Sequence, residues 1–257
     1  MTDTVAPAMP GHSVAADPIP DLSRFLRRLT RHSILAPLEV DAILSLTSRA
    51  VAVEPHRDIV SPGQTIDEAC YVAAGLVGRF DQMLDGRRQI TAIHIPGDMC
   101  DLHSVVMPKA SWSITALTRT VTLRIPHEEL RALAVGHPNV AIAFWRDTAL
   151  DAAVIGKWYG NLGRKNAPAR FAHLFCEMGL RMELAGLGQR TSYPFGIVQA
   201  DLADATGITA VHVNRTIQAM RETGMVEFRD RHVTIPNWAQ LAKLAEFDET
   251  YLLPEPH

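Results

Sequence analysis

A chain of 257 residues, 47% of them hydrophobic, can bury a substantial core, and its length suits two modest domains better than one large one. Its formal net charge of −3 argues, taken whole, against nucleic-acid binding, which needs cationic surface. Its apolar runs are broken by charges or glycine well short of the roughly 20 residues a membrane span needs, so no membrane partner is expected.

Residues 1–20 hold four prolines and no Lys or Arg, so they lack the basic start and apolar stretch of an export signal. They read as a disordered lead-in to a cytoplasmic protein. Cys70, Cys100 and Cys176 lie 30 and 76 positions apart, matching neither a disulfide framework nor a metal knuckle, and are expected to be buried free thiols. The charge is unevenly spread. Between Arg164 and Asn237 nine Arg or Lys stand against seven acids, so only the C-terminal third is net positive, and mildly.

Residues 22–46 carry apolar side chains at helical intervals interrupted at Pro37, which predicts two short helices. Residues 51–125 change to short β-type runs punctuated by Pro-Gly, Asp-Gly and Gly-Asp turns. Residues 120–125 alternate, with Val121, Leu123 and Ile125 on one face and Thr120, Thr122 and Arg124 on the other, as in a half-buried strand. Residues 76–84 and 87–95 flank Asp85-Gly86, a dipeptide suited to the positive φ angles of a tight hairpin. Residues 21–136 are therefore expected to form an antiparallel β-roll. A long helix follows from about Pro138 to Gly163, where the glycine is a candidate left-handed cap. In it Ala141, Trp145, Thr148, Ala152, Ile155, Tyr159 and Leu162 recur at intervals of four and three, the spacing of a coiled-coil seam. Phe144, Leu150, Val154 and Trp158 lie off that seam, so residues 137–163 can face both the roll and a partner helix. A further amphipathic helix, with Pro168 early in it, is expected over residues 167–184, followed by a Gly-rich loop.

Residues 199–224, QADLADATGITAVHVNRTIQAMRETG, are the most informative stretch. A short helix with Leu202 and Ala203 inward is followed by Gly207, which permits a sharp turn. Thr209 can cap the next helix, on which Val213, Ile217 and Met220 fall on one face. Their burial leaves Ala210, Val211, His212, Asn214, Arg215 and Gln218 outward, where a recognition helix presents side chains to the major groove of double-stranded DNA. Arg215 suits a bidentate guanine contact or a phosphate clamp. Asn214 and Gln218 suit adenine or phosphate, His212 a base edge or backbone, and Ala210 and Val211 a thymine methyl. Gln199 opens the first helix as a candidate phosphate contact. Residues 225–228 and 232–235 then flank Arg229-Asp230-Arg231 as a wing whose arginines would meet phosphates. Residues 164–257 are thus expected to be a winged helix-turn-helix domain.

In this order the parts resemble the Crp/Fnr family of transcription regulators, over residues 22–252. The roll carries Ser61-Pro62-Gly63-Gln64, Gly75 and Ile95-Pro96-Gly97-Asp98. The DNA-binding part carries Leu202-Ala203, Gly207, Thr209, Val213 and Arg215, and His212-Val213-Asn214-Arg215-Thr216 is similar to one branch of the family. The resemblance implies an α+β fold: a cyclic-nucleotide-binding-like β-roll, a long dimerisation helix and a C-terminal winged helix-turn-helix. It also implies a homodimer that reads a two-fold-symmetric operator, with half-sites about one helical turn apart, and contacts RNA polymerase. Members that bind cyclic AMP carry Gly-Glu after the Gly-Asp turn and Arg-Ser or Arg-Thr before the next strand. Here those places hold Asp101-Leu102-His103-Ser104 and Ala110-Ser111-Trp112-Ser113, with no arginine for the phosphate, so control by cyclic AMP is not expected.

An iron-sulfur cluster of the oxygen-sensing branch needs N-terminal thiolates that this chain lacks. No cofactor is expected, although His94, His103 and Cys100 leave a haem ligand open; the effector stays unidentified. Two other classes compete with a regulator. A sensor module with no DNA role would make Arg215 dispensable, and a cupin-like metalloenzyme would need His94, His103, Asp98 and Asp101 to converge. No nucleophile elbow, phosphate loop or paired-carboxylate signature is present, so an enzyme is not expected.

Overall fold

The structure, a computed structural model, describes residues 21–253; the lead-in expected over residues 1–20 lies outside them. Two helices come first, α1 (Ser23–Thr30) and α2 (Pro37–Leu44), the second started by Pro37 in its first turn, where a missing N–H is not needed. Seven strands follow: β1 (Arg49–Val53), β2 (Asp58–Val60), β3 (Glu68–Ala74), β4 (Val77–Gln82), β5 (Arg88–His94), β6 (Ser113–Ala116) and β7 (Thr120–Pro126). Gly86, at φ 85°, turns β4 back onto β5 and sets Val77 opposite His94 and Gln82 opposite Arg88. All pairings are antiparallel, in sheets ordered β1-β7-β3 and β2-β6-β4-β5, which make the expected roll.

Strand β7 departs from the half-buried expectation. It lies between β1 and β3, and Thr120 and Thr122 on its polar face are fully buried. Their hydroxyls are satisfied there: Thr120 donates to the Thr118 carbonyl at 2.8 Å and Thr122 to the Val51 carbonyl at 3.4 Å. Threonine suits such a strand because it is β-branched and brings its own hydrogen bond.

Helix α3 (His127–Gly136) leads into the long α4 (Pro138–Arg164). Gly163 does not form the expected left-handed cap. The helix runs through it to Arg164, and an extended Lys165 passes directly to Asn166, whose side chain accepts the Ala169 N–H at 3.0 Å to start α5 (Ala167–Ala185). Beyond α5 the Gly-rich stretch holds a short strand, β8 (Ser192–Pro194). The chain continues as α6 (Gln199–Thr206), α7 (Ala210–Glu222), β9 (Glu227–Arg229), β10 (His232–Thr234) and α8 (Trp238–Ala245), and ends in a 3₁₀ turn, Glu249–Leu252. Strands β8, β10 and β9 form the wing sheet in that order. Three residues are too few for a periodic signal, so β8 escapes sequence reading; the buried Tyr193 anchors it by donating to the Phe175 carbonyl at 2.7 Å.

One apolar cluster runs without a break from Phe80, Ile90 and Ile93 of the roll, through Val154 and Trp158 of α4, to Phe171 and Phe175 of α5 and Val213 of α7. The N-terminal half and the C-terminal half therefore share a core. A buried charge network crosses the same junction. Asp98 accepts Arg28 of α1 at 2.8 Å and Arg181 of α5 at 2.6 Å, while its second oxygen also takes the Ile95 N–H at 2.9 Å. Arg28 reaches on to Asp147 of α4, Arg181 to Glu177 at 3.2 Å, and Arg79 of β4 to Asp151 of α4 at 2.6 Å.

Burial alone would raise the Asp98 carboxyl, but the guanidiniums of Arg28 and Arg181, with His94 behind them, hold it well below the carboxylate range. Asp98→Asn removes the carboxylate that Arg28 and Arg181 share and leaves each with one carboxylate, Asp147 and Glu177, so it should cost about 2 kcal/mol at neutral pH in urea unfolding at fixed protein concentration. The folded-state value lies below the unfolded value of about 3.9, so the contribution is complete above roughly pH 5 and is lost as pH falls through the folded value. The gap between wild type and Asp98→Asn should accordingly narrow below about pH 4, and equal stability at neutral pH would refute this account.

Candidate nucleic-acid interface

Gly207, at φ 66°, ends α6 in the left-handed conformation; a Cβ there would meet Leu162 Cδ2 at 3.1 Å and Gln89 Oε1 at 3.3 Å. Thr209 then caps α7, its hydroxyl accepting the His212 N–H at 3.3 Å. Val213 is 0% exposed and Met220 is buried, while Ile217 packs half-buried on the same cluster. Thr216 is also inward, donating to the His212 carbonyl at 2.8 Å, which the apolar pattern did not indicate.

With that face fixed, Thr209, Ala210, Val211, His212, Asn214, Arg215 and Gln218 are all exposed, Val211 at 71%. Gln218 shares its amide with Glu222 of its own helix at 3.0 Å. Gln199 is exposed at the start of α6. The wing turn places Asp230 at φ 52° and Arg231 at φ 60°, the backbone of a tight hairpin without glycine. Arg229 and Arg231 are both exposed, and Arg231 lines a cleft shared with Thr118 and Arg119 of the roll. Not all of the C-terminal positive charge reaches this surface. Arg170, Arg181 and Arg190 are committed to internal partners. Arg164, Arg215, Arg221, Arg229 and Arg231 remain exposed.

Three side chains missed by sequence reading hold α6, and so α7, in place. Arg170 donates to the carbonyls of Thr206, Leu162 and Lys165 at 2.9, 2.8 and 2.9 Å, tying the C-terminal ends of α6 and α4 to α5. Gln89 of β5 donates to the Asp204 carbonyl at 2.7 Å, and Arg88 reaches the Asp204 carboxylate at 3.0 Å. The final carbonyls of a helix have no partner within it, which makes the end of α6 a natural attachment point. The contacts of Gln89 and Arg88 join positions 115 and 116 residues apart, so no local pattern announces them.

On α4, the expected seam residues Trp145, Ala152 and Tyr159 point outward, Trp145 at 75% and Tyr159 at 82% exposure. Ala141, Thr148, Ile155 and Leu162 are half-buried, turned toward the protomer. The exposed line instead runs Ile142, Trp145, Ala149, Ala152, Gly156, Tyr159 and Gly163, again at intervals of three and four. The 3.6-residue turn makes adjacent stripes alike, and only packing on the roll separates them.

In the roll, Arg79 stacks over Trp112 at 4.9 Å, donates to the Cys100 carbonyl at 2.7 Å and pairs with Asp151. His103 meets the same indole edge-on at 4.9 Å, and burial lowers its pKa to about 4. Asp101 turns inward to accept the Cys70 N–H at 2.6 Å, with burial raising its pKa to about 6. His94 is buried against Asp98 at 3.7 Å, and the buried Cys100 thiol donates to the Cys70 carbonyl at 3.1 Å. The haem candidates His94, His103 and Cys100 thus have separate partners and do not fit a shared ligand. Among the described residues no three His, Cys, Asp or Glu side chains gather as a metal site, which removes the cupin-like arrangement of His94, His103, Asp98 and Asp101. Nor is any described helix long and apolar enough to cross a membrane.

Comparison with known proteins agrees with this geometry. A family model for the Crp-like helix-turn-helix domain matches residues 169–244, and one for the cyclic nucleotide-binding domain matches residues 50–137. The chain is 22% identical to the fumarate and nitrate reduction regulatory protein of Escherichia coli over 213 residues, covering 80% of this chain and 82% of that protein. It is 20% identical over 207 residues to the protein of the same name from Vibrio cholerae, with the same coverage. Among solved structures, FixK2 from Bradyrhizobium japonicum superposes with a TM-score of 0.70 at 26% identity, over 77% of this chain and 98% of that one. The chain belongs to the Crp/Fnr family of DNA-binding transcription regulators. The curated relatives named here are regulatory proteins rather than enzymes.

The turn of the helix-turn-helix gives a direct test. Gly207→Ala should cost about 1–2 kcal/mol in thermal or urea unfolding from the left-handed backbone alone, and more once Leu162 and Gln89 must give way. Gly224, at φ 67° with nothing within 4 Å of an added Cβ, is the internal control: Gly224→Ala should show only the backbone cost.

Proposed function

We propose that this regulator binds double-stranded DNA as a homodimer, reading a two-fold-symmetric operator in the cytoplasm and contacting RNA polymerase. The observation that carries this reading is the exposed N-terminal half of α7, fixed from beneath by Val213 and Met220. In it Arg215 reads a guanine or clamps a phosphate. Asn214 and His212 serve neighbouring positions, and Ala210 and Val211 offer methyl contacts to thymine. Gln199, Thr209, Gln218, Arg229 and Arg231 position the helix on the backbone.

The homodimer is supported by the outward line of α4, where two large aromatic side chains stand in water beside small residues. Gly156, Gly160 and Gly163 lie in that helix with nothing within 4 Å of an added Cβ, so the protomer's own packing does not require them. Each costs about 1 kcal/mol relative to alanine inside a helix. A second helix backbone passing close by is what glycine there allows. The interface then comprises Trp145, Ala152 and Tyr159 at its centre, flanked by Ala141, Thr148, Ile155 and Leu162.

Control by cyclic AMP is not part of this reading. Asp101 is committed to the β3 backbone, and the one buried guanidinium nearby, Arg79, is already neutralised by Asp151 and covered by Trp112. A cyclic phosphate would have to break that pair.

Selection of duplexes from a random library should yield a palindrome with half-sites about 34 Å apart. Arg215→Ala should lose about 1–3 kcal/mol per half-site while leaving the oligomer intact by sedimentation. Tyr159→Glu should shift sedimentation toward the monomer and abolish cooperative binding. A wild-type monomer at micromolar concentration, or undiminished specificity in Arg215→Ala, would refute the proposal.

A further inference from the structure

Five large apolar side chains around the N-terminal half of α4, those of Ile34, Leu38, Val106, Met107 and Val135, each expose more than two-thirds of their surface. Exposed apolar residues scattered singly are ordinary, but these fall into two groups that flank the outward line of α4. The first group is tied to α4 through its sequence neighbours. Arg146 donates to the His32 carbonyl at 2.6 Å and to the Ser33 hydroxyl at 3.2 Å, next to Ile34, and Asn139 donates to Glu39 at 3.4 Å, next to Leu38. Asn139 and Arg146 are seven residues apart, close to two turns, so they share one flank of the helix.

The second group lies on the other flank. Going round α4 from Arg146, Asp147 meets Arg28 of α1, and then Asp151 meets Arg79, which donates to the Cys100 carbonyl at 2.7 Å. From Cys100 the chain enters a 3₁₀ turn, Leu102–Val105, which packs against α3 and α4 and delivers Val106 and Met107 to the surface. Arg131 of α3 donates to the Val105 carbonyl at 3.1 Å, and Val135, one turn further along α3, extends the same patch. One flank of α4 thus carries Ile34 and Leu38 and the other Val106, Met107 and Val135, with Ile142 and Trp145 exposed between them.

We propose that the occupant of each patch is a second copy of this chain: Ile34 and Leu38 of one protomer pack against Val106, Met107 and Val135 of the other, once on either side of the α4 pair. Symmetry selects this pairing. Two DNA-binding halves that face one duplex need their α4 helices side by side and parallel, about a two-fold axis running along them. Such an axis sets the left flank of one helix beside the right flank of the other, so unlike patches on opposite flanks meet each other and not themselves. A stable interface buries roughly 1,600 Å² in total. The two patches add large side chains to a line that, apart from Ile142, Trp145 and Tyr159, is alanine and glycine. This contact rests on the homodimer proposed above, and it brings the α1–α2 segment of one protomer onto the roll of the other.

Paired cysteines in the full chain test it, since Cys70, Cys100 and Cys176 are all buried. The double variant Ile34→Cys/Met107→Cys, oxidised with copper–phenanthroline, should run as a covalent dimer on non-reducing electrophoresis. Ile34→Cys alone and Met107→Cys alone should stay as single chains, whereas an equilibrated mixture of the two should link. Leu38→Glu, at a position exposed in the protomer, should keep the wild-type circular dichroism and raise the dimer dissociation constant by about tenfold or more in sedimentation. A wild-type dimer whose double variant does not link, single variants that link as readily as their mixture, or unchanged dimerisation of Leu38→Glu would overturn this contact and leave the dimer standing. A wild-type chain that sediments as a monomer would remove both.

Discussion

Everything else in the molecule is arranged around one buried carboxylate. Asp98 lies at the end of the roll's central hairpin and binds guanidiniums 70 and 83 positions away in sequence, one from the first helix and one from the DNA-binding half. Ion pairs taken out of water add little net stability over apolar packing, because desolvation cancels most of the attraction. What they add is direction. The apolar cluster shared by the two halves would tolerate a family of relative orientations, whereas Asp98, Arg28 and Arg181 with their hydrogen bonds tolerate few.

The second attachment is made on backbone. Gln89 and Arg170 take carbonyls at the C-terminal end of α6, and Arg88 takes the Asp204 carboxylate. Because α6 packs against α7, the orientation of α7 is set by β5 of the roll as much as by its own domain. A change in the roll that moved Arg88 and Gln89 by a fraction of a hydrogen-bond length would be felt at α7.

Sequence reading goes far where structure is local. The Asp85-Gly86 hairpin, the Gly207 turn with its Thr209 cap, and the inward face of α7 rest on φ angles and periodicities that a few neighbouring residues determine. It fails where the deciding contact is remote. Thr120 and Thr122 look solvent-facing until β1 and β3 flank them and the second sheet covers them. Gly163 looks like a helix end until Asn166 is seen to start the next helix. The buried partners of Arg79, Arg88 and Arg170 carry no local signal, since an arginine that will be buried is written like one that will not. Cys70 and Cys100, 30 positions apart, meet only because adjacent segments of the roll bring them together.

Helix α4 shows why the outward stripe keeps Trp145, Ala152 and Tyr159 of the expected one but shifts by one residue at the positions between them. At 27 residues it is about 40 Å long, and it answers two demands at once. Its inner side must offer Asp147 and Asp151 to Arg28 and Arg79 and bury Val154 and Trp158. Those contacts fix its rotation, and whatever then points away becomes the surface for the proposed partner: Trp145, Tyr159 and the glycines. The seam of the proposed dimer would then be a consequence of the charge network rather than an independent feature. A shift that reorganised Asp98 and Arg28 would act on α4 directly, because Asp147 and Asp151, which help to fix its rotation, pair with Arg28 and Arg79. In the proposed dimer the same shift would change how the two copies of α7 are spaced across its axis, which is the quantity an operator with fixed half-site separation would measure.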